Sequence, residues 1–514
     1  MYSRIRIPSL PLELVLLLGS LIGCGGGATP VQQFSMSISP SPVNVAAEAT
    51  EQFNVTVTGV SSTAVTWQVN GLAGGNPTAG TITDAGLYTA PAAATTATVS
   101  AVLQADSSKS TSAHVSVLAP HRIGIRPTSS FGEFYDRSTG NSFVPRGANY
   151  VRLGAQNCPN APPADHTVFN VGLYDGTTVD AALALMQAGG YTMVRVFLNG
   201  WCPQNTLGNP AGGLSSAYLA NVVEFLGRAK NHGMFVIIDI NWLPLYGGYS
   251  EQYATCTNFV DFNTLNLCPG GVQASTSFFH DLVQDLVAQN APLDAIFAYE
   301  IRNEYYYDSD LPPLSWTSGM ITTADGQTYD MSSQTSRQQM MDNGLIYFTN
   351  QGRAAIVALD PTALVTVGFF VPQGPNPTRI GDPRLIQIYP MIANSTADFV
   401  DLHPYAVAGG LTLAQYVQNF GFTAAQQQKQ PVVMVEFGEL QSDYPVESTA
   451  AAIAHDWQVQ SCLYGFKGWA WFTWDTTDAE YELVGGPLYW SASLGSGLIN
   501  EALAPAARPD PCVN

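Results

Sequence analysis

The sequence predicts an α/β protein, a (β/α)8 TIM barrel preceded by a smaller all-β sandwich. From about residue 131 onward, short apolar runs alternate with segments of helical periodicity, the pattern of a parallel sheet built from βα units. Every long irregular segment in that region follows a strand-like run and none follows a helix-like one, which confines elaboration to one face of a barrel. Ahead of it, from Gln32 to Leu118, Thr, Val, Ala and Ser recur in the short alternating runs of a sandwich. At 514 residues the chain has room for both, since a barrel takes about 250.

The first residues read as an export segment. Arg4 and Arg6 precede an apolar run through Leu18 and then Leu21-Ile22-Gly23-Cys24, which resembles a bacterial lipoprotein signal. The run is well short of the ~20 residues a membrane span needs. Residues 1–23 are therefore expected to be a signal peptide and Cys24 the lipidated residue. The implied location is the cell envelope (outer membrane or cell surface) or the exterior, with membrane contact through the lipid alone.

In an exported chain the six other cysteines are expected to form disulfides, which allow fifteen pairings. Cys158–Cys202, Cys256–Cys268 and Cys462–Cys512 are the pairs expected. CxxC and HExxH patterns are absent, so neither a metal nor a cofactor is called for. The net charge of −20 comes with only 11% charged residues and no basic stripe, which argues against nucleic acid as a partner.

In the amino-terminal module, FSMSISP, EQFNVTVTGV, AVTWQVNG, TATVSAVLQ and AHVSVL predict strands, with Trp67 as a core anchor. Gly80 to Pro91, GTITDAGLYTAP, resembles the corresponding segment of bacterial Ig-like domains, so residues 32–118 are expected to be an Ig-like sandwich. His114 is the module's only histidine and nothing in it looks catalytic. A spacer is the leading reading, with carbohydrate or partner binding as the alternative. Residues 119–127 are the expected linker, and 128–514 the barrel.

In the barrel, strands are expected at Val144–Val151, Met193–Leu198, Met234–Ile240, Ala295–Arg302, Ala363–Phe370, Phe399–Leu402, Pro431–Phe437 and Gly468–Trp474. Helical periodicity marks Val179–Ala188, Ser215–Asn231, Ser275–Ala288, Thr335–Ala358, Leu413–Phe420 and Thr449–Cys462; the helix between strands five and six is poorly marked. The fourth run, IFAYEIRNE, ends in Asn303 and Glu304, and the seventh carries Glu436. Catalytic residues of a barrel are mounted at strand carboxyl ends, and two carboxylates across one cleft are what glycoside hydrolysis requires. Arg195 and Tyr405 supply a charge and a hydroxyl that hold a nearby carboxylate ionised. His403 lies two residues before Tyr405, on the same side of the strand. Trp469, Trp471 and Trp474 offer flat apolar faces to a sugar ring.

The motifs PRGANY (Pro145–Tyr150), MVRVF (Met193–Phe197), YEIRNE (Tyr299–Glu304), DLHPY (Asp401–Tyr405), VEFG (Val435–Gly438) and WFTW (Trp471–Trp474) occur in this order. Together they resemble the clan A glycoside hydrolases, most closely family 5, which includes cellulases and β-mannanases. The resemblance implies a retaining enzyme in which Glu304 is the acid/base and Glu436 the nucleophile. It further implies that Asn303 contacts the sugar 2-OH, that Arg195 and Tyr405 orient Glu436, that His403 lines the site, and that Trp474 lies under the reactive sugar. Asn241 stands where the family commonly has a histidine, and with Trp242 and YGGYSEQY (Tyr246–Tyr253) faintly resembles the β-mannanase branch. Asn241 and Trp242 are thus expected to bind substrate, a β-1,4-mannan or β-1,4-glucan cut internally.

Glu300 and Asp239 are expected to be interior partners of buried polar groups. Glu439 is the rival nucleophile and Trp471 the rival platform. Trp201, Trp242, Trp316 and Tyr305 to Tyr307 either form sugar subsites or pack under their own loops. A polysaccharide-binding lipoprotein without catalysis, or a transglycosylase, are the competing functions.

Overall fold

The computed structural model describes residues 33–129, 132–152, 168–200, 206–240, 242–308, 310–369, 394–420, 430–475 and 489–508. Among them no helix is long and apolar enough to cross a membrane.

The amino-terminal region is all β. One sheet orders Val43–Ala46, Ser110–Leu118, Thr95–Leu103, Val65–Val69 and Leu72–Ala73; a second orders Thr50–Gln52, Leu87–Thr89, Gly80–Ile82 and Gly75–Asn76; Ser35–Ser39 pairs with Asn54–Thr58. Thr95–Leu103 alternates buried and open residues along its length, and its inward side chains Ala97, Val99 and Ala101 meet Phe53, Trp67, Val69 and Tyr88 in one core.

The barrel's strands are Arg146–Arg152, Met193–Phe197, Phe235–Asp239, Ile296–Glu300, a fifth in two pieces, Val400–Leu402, Val432–Glu439 and Trp469–Asp475. The fifth is interrupted at Val367: Val365–Thr366 bonds strand four, and Gly368–Phe369 bonds strand six. Strand eight returns to strand one, and all the pairings are parallel. Strands two, three and four are buried at every position, as expected where helices cover a parallel sheet.

Helices Gly176–Ala188, Ser216–Asn231 and Gln334–Val357 begin at Asp175, Ser215 and Ser333, each of which accepts a first-turn backbone N–H. Helix Pro269–Ala288 begins six residues before the apolar periodicity that becomes visible at Ser275. Gly270 and Gly271 mask it there, because a Cβ at Gly271 would overlap Thr264 O.

The 119–127 segment corrects the expected linker. Ile123–Arg126 is a strand, paired with Glu133–Asp136, which in turn pairs with Ser142–Phe143. Ile123 and Phe134 join Met193, Ile237, Phe297, Leu364, Phe399, Val433 and Ala470 in a cluster filling the amino-terminal end of the barrel. The Phe134 ring lies 5.0 Å from Phe297 and 5.4 Å from Phe399. His121 is fully buried, with Nδ1 2.8 Å from Ile296 O and Nε2 2.7 Å from Asp360 Oδ2. On the same end, Asn44 of the sandwich donates to Leu359 O at 2.6 Å.

Cys256 and Cys268 form a disulfide, and Cys462 is also disulfide-bonded. Cys24, Cys158, Cys202 and Cys512 lie outside the described residues.

Candidate active site

The carboxyl ends of the strands gather a buried polar layer around one guanidinium. Arg195, fully buried on strand two, donates from Nε and one terminal nitrogen to both oxygens of Glu300, at 2.6 and 2.7 Å. It also donates to Glu436 Oε2 at 2.6 Å, Asn149 Oδ1 at 2.8 Å, Asn303 Oδ1 at 2.5 Å and Asp239 Oδ2 at 3.2 Å. Arginine alone carries five donors in a fixed fork, so it can bind several strands at once. Asn149 extends the stitching: its amide donates to Val435 O at 3.1 Å and Trp471 O at 3.2 Å, tying strand one to strands seven and eight.

Strand seven departs from regular alternation at the decisive point. Val433 and Val435 face the barrel interior, whereas Val432, Met434 and Phe437 face the helices. An irregularity in pairing between Met434 and Phe437 adds a residue to the inner side, which turns Glu436 inward as well. Glu436 accepts from Arg195 and from the Tyr405 hydroxyl and lies 3.6 Å from His403 Nδ1. Burial alone would raise its pKa, but the charges of His403 and Arg195 and the Tyr405 hydrogen bond outweigh it and hold Glu436 below the ordinary carboxylate range.

His403 bridges two layers. Nδ1 is 3.3 Å from Glu304 Oε1, and Nε2 is 3.3 Å from Asp401 Oδ1 and 3.7 Å from Glu300 Oε1. The Asp401 contact is close enough for charge attraction but is angled away from a hydrogen bond, and both Asp401 oxygens are buried without a hydrogen-bond partner. Burial would lower the imidazole's pKa; Glu436 and Asp401 more than compensate and raise it well above its ordinary value. Glu300 moves up strongly, because burial and the neighbouring Asp401 and Asp239 exceed the effect of Arg195.

Glu304 is the more open acid of the pair, with its side chain 27% exposed against 8% for Glu436. One donor atom each from Glu304, His403 and Glu436 lie within 4.8 Å of one another, as do one each from Glu300, Asp401 and His403. Such sets have the ligand count for a cation. Arg195 already donates to Glu300 and Glu436, however, and His403 lies against Glu304 and Asp401, so the guanidinium and the imidazole are the groups around which these acids gather.

Of the residues expected at the site, Arg195, Asn303, Glu304, His403, Tyr405 and Glu436 come together. Trp242 packs with Val151, Phe197, Phe472, Tyr405 and Tyr489 in an aromatic cluster beside them. Asn241 lies outside the described residues. Trp474 is a correction: it is 3% exposed and faces the helices, 5.8 Å and edge-on from Tyr191. Its rival Trp471 is fully buried on the same side, against Phe437. The ring that strand eight presents to the cleft is Phe472, edge-on to Tyr405 and Tyr489. Tyr305 and Tyr307 are buried, their hydroxyls 3.0 Å apart. Glu439 lies past the site, 1% exposed, and burial pushes its pKa up to about 9.

Asn149, Asp401 and Phe472 were not foreseen as site residues. Asn149 pairs in register with Arg195, and Asp401 is two residues from His403, so strand phase was the available signal for both.

A family model, Cellulase (glycosyl hydrolase family 5), matches residues 164–480. No curated protein sequence gives a match. Among solved structures, an endo-β-1,4-mannanase from Thermotoga petrophila is similar with TM-score 0.49 and 17% identity, over 72% of this chain and 77% of that one. An endo-1,4-β-mannanase from Rhizomucor miehei is similar with TM-score 0.46 and 16% identity, over 74% and 98%. A β-mannanase from the blue mussel Mytilus edulis gives 0.43 and 17%, over 76% and 98%. The family model spans more than half of the chain, and on that ground the chain belongs to glycosyl hydrolase family 5 and is a glycoside hydrolase.

Proposed function

We propose that the chain is a retaining, endo-acting β-glycoside hydrolase for a β-1,4-mannan or β-1,4-glucan, working by double displacement with Glu304 and Glu436. The observation that carries this reading is the spacing: one oxygen of each glutamate lies within 4.8 Å of the other. Retaining enzymes place their carboxyl groups about 5 to 5.5 Å apart, whereas inverting ones need roughly 6.5 to 9.5 Å for a water.

In the first step a Glu436 oxygen attacks the anomeric carbon as the glycosidic C–O bond breaks, and Glu304 gives its proton to the departing oxygen. In the second, Glu304 takes a proton from water, whose oxygen attacks the same carbon and releases Glu436. The low pKa of Glu436 suits a nucleophile that must be ionised. Asn303 has its carbonyl oxygen tied to Arg195, which leaves its NH2 group as the donor for the sugar 2-OH. Phe472, with Trp242 beside it, takes the platform role expected of Trp474. An exported lipoprotein anchored through Cys24 is the accompanying proposal for location.

Screening β-mannan, soluble cellulose, mixed-linkage β-glucan, xylan and β-1,3-glucan for new reducing ends identifies the substrate, and product length separates endo from exo action. On that substrate Glu436→Ala should lose activity by at least about 10³-fold, and azide should restore turnover with an inverted glycosyl azide. A normal rate in Glu436→Ala would sink the assignment.

A further inference from the structure

The turn carrying Asn303 and Glu304 is held from two sides, and only one of them belongs to the barrel. On the barrel side, Gly368 N donates to Arg302 O at 2.8 Å and Tyr305 N donates to Gly368 O at 2.9 Å. A Cβ at Gly368 would overlap Asn303 O and crowd Glu300 and His403, so strand five and the turn are in backbone contact. On the outer side stands Asn266, 1% exposed, in the short helix Phe262–Leu267. Its Oδ1 accepts from Arg302 Nε at 3.3 Å, while its Nδ2 donates to Tyr306 O at 3.0 Å. One buried amide thereby grips the residue before Asn303 and the residue two after Glu304.

The helix bearing Asn266 is itself fixed. Asp308, from the same loop as the turn, accepts from Phe262 N at 2.9 Å, and Asn263 donates to Asp308 O at 2.9 Å while accepting from Asp308 N at 3.0 Å. The Phe262 and Tyr306 rings lie 4.4 Å apart, and the Cys256–Cys268 disulfide brackets the helix.

We propose that Asn266 is a positioning residue for the proton donor: by spanning Arg302 and Tyr306 it fixes the Asn303–Glu304 turn against strand five and so sets where the Glu304 carboxyl meets the leaving oxygen. The inference rests on the acid/base reading of Glu304. An apolar side chain at this position would take the partner from both the Tyr306 carbonyl and Arg302 Nε, so the amide ties the two flanks of the turn to a helix that is itself fixed.

Leaving-group dependence tests it, because a departing dinitrophenolate needs no proton while a sugar hydroxyl does. In the full chain, Asn266→Ala should lower kcat on cello- or manno-oligosaccharides by about 10- to 100-fold, the scale of a misplaced general acid. The rate of glycosyl transfer from 2,4-dinitrophenyl β-cellobioside or β-mannobioside should change by less than about 2-fold. Asn266→Asp keeps the acceptor for Arg302 and loses the donor to Tyr306 O, and it should show the same selectivity in case Ala unfolds the loop. Equal losses on both substrate types, no loss on either, or unfolding of both variants would overturn the inference. Glu304→Ala is the control: if it lacks the selectivity, the acid/base reading fails, whereas if it has it and the Asn266 variants do not, only the role of Asn266 fails.

Discussion

The two ends of the barrel interior are built from the same strands and have opposite chemistry. At the amino-terminal end Met193, Ile237, Phe297, Phe399, Val433 and Val435 close around Phe134, an apolar plug supplied from outside the barrel. Two residues on from Met193, Ile237 and Phe399, about 6–7 Å along the strand, and three on from Phe297, the inward positions become Arg195, Asp239, Asp401 and Glu300. The lower layer excludes water and needs no orientation. The upper layer is tolerable only because nearly every member is held by Arg195 or His403, since a buried unpaired charge is among the costliest errors a fold can contain. Stability and chemistry are thus separated by one pleat.

The largest blow to that division should come from Arg195→Met. It leaves Glu300, Asp239 and Glu436 facing one another without their cation, which should cost about 3–5 kcal/mol and reduce activity to background. Thermal melting and kcat measured side by side check this, and an enzyme retaining a tenth of its activity would contradict it. Phe134→Ala attacks the other end: stability should fall by about 3–5 kcal/mol with kcat at 25 °C unchanged within about 2-fold. A parallel drop in kcat would show that the layers are not independent.

The smallest effect concerns Glu439, which sits beyond the upper layer. The unfolded chain releases its proton near the ordinary 4.5, whereas the folded state retains it to about 9. Stability from this group is therefore full at low pH and drains away as pH rises between those values. Glu439→Gln should match the parent near pH 4.5 and exceed it by about 1–3 kcal/mol at pH 8, as read from melting curves across that range. A constant difference at all pH values would show that Glu439 is not a buried neutral acid.

Much of this division was legible in the residues. The eight apolar runs, the placement of long segments after strands and the polar residues at strand ends fixed the barrel and the cleft face. The tryptophans of WAWFTWD were not legible. A tryptophan packed against a helix is as apolar as one lining a cleft, so composition cannot choose the face, and Trp474 proved to be on the wrong one. Glu436 shows the converse. Strict alternation from Val433 and Val435 would send it toward the helices, and only the irregular backbone before Phe437 brings it inward, so its role came from resemblance to a family and not from periodicity. Ile123–Arg126 read as a linker because a four-residue strand is too short to display alternation, and its pairing with Glu133–Asp136 rests on main-chain bonds that leave no pattern in the residues. Asn266 gave no signal at all, since a buried amide that bonds one carbonyl and one distant side chain leaves no pattern in the sequence.

The attachment of the sandwich has a consequence for access. His121 and Asn44 fasten the chain to the ends of the barrel strands that carry the plug, so the cleft opens on the far side. A long, stiff polymer lying across the cleft would meet the barrel before it met the sandwich. The sandwich and the cleft therefore sit at opposite ends of the barrel, like the handle and the edge of a tool.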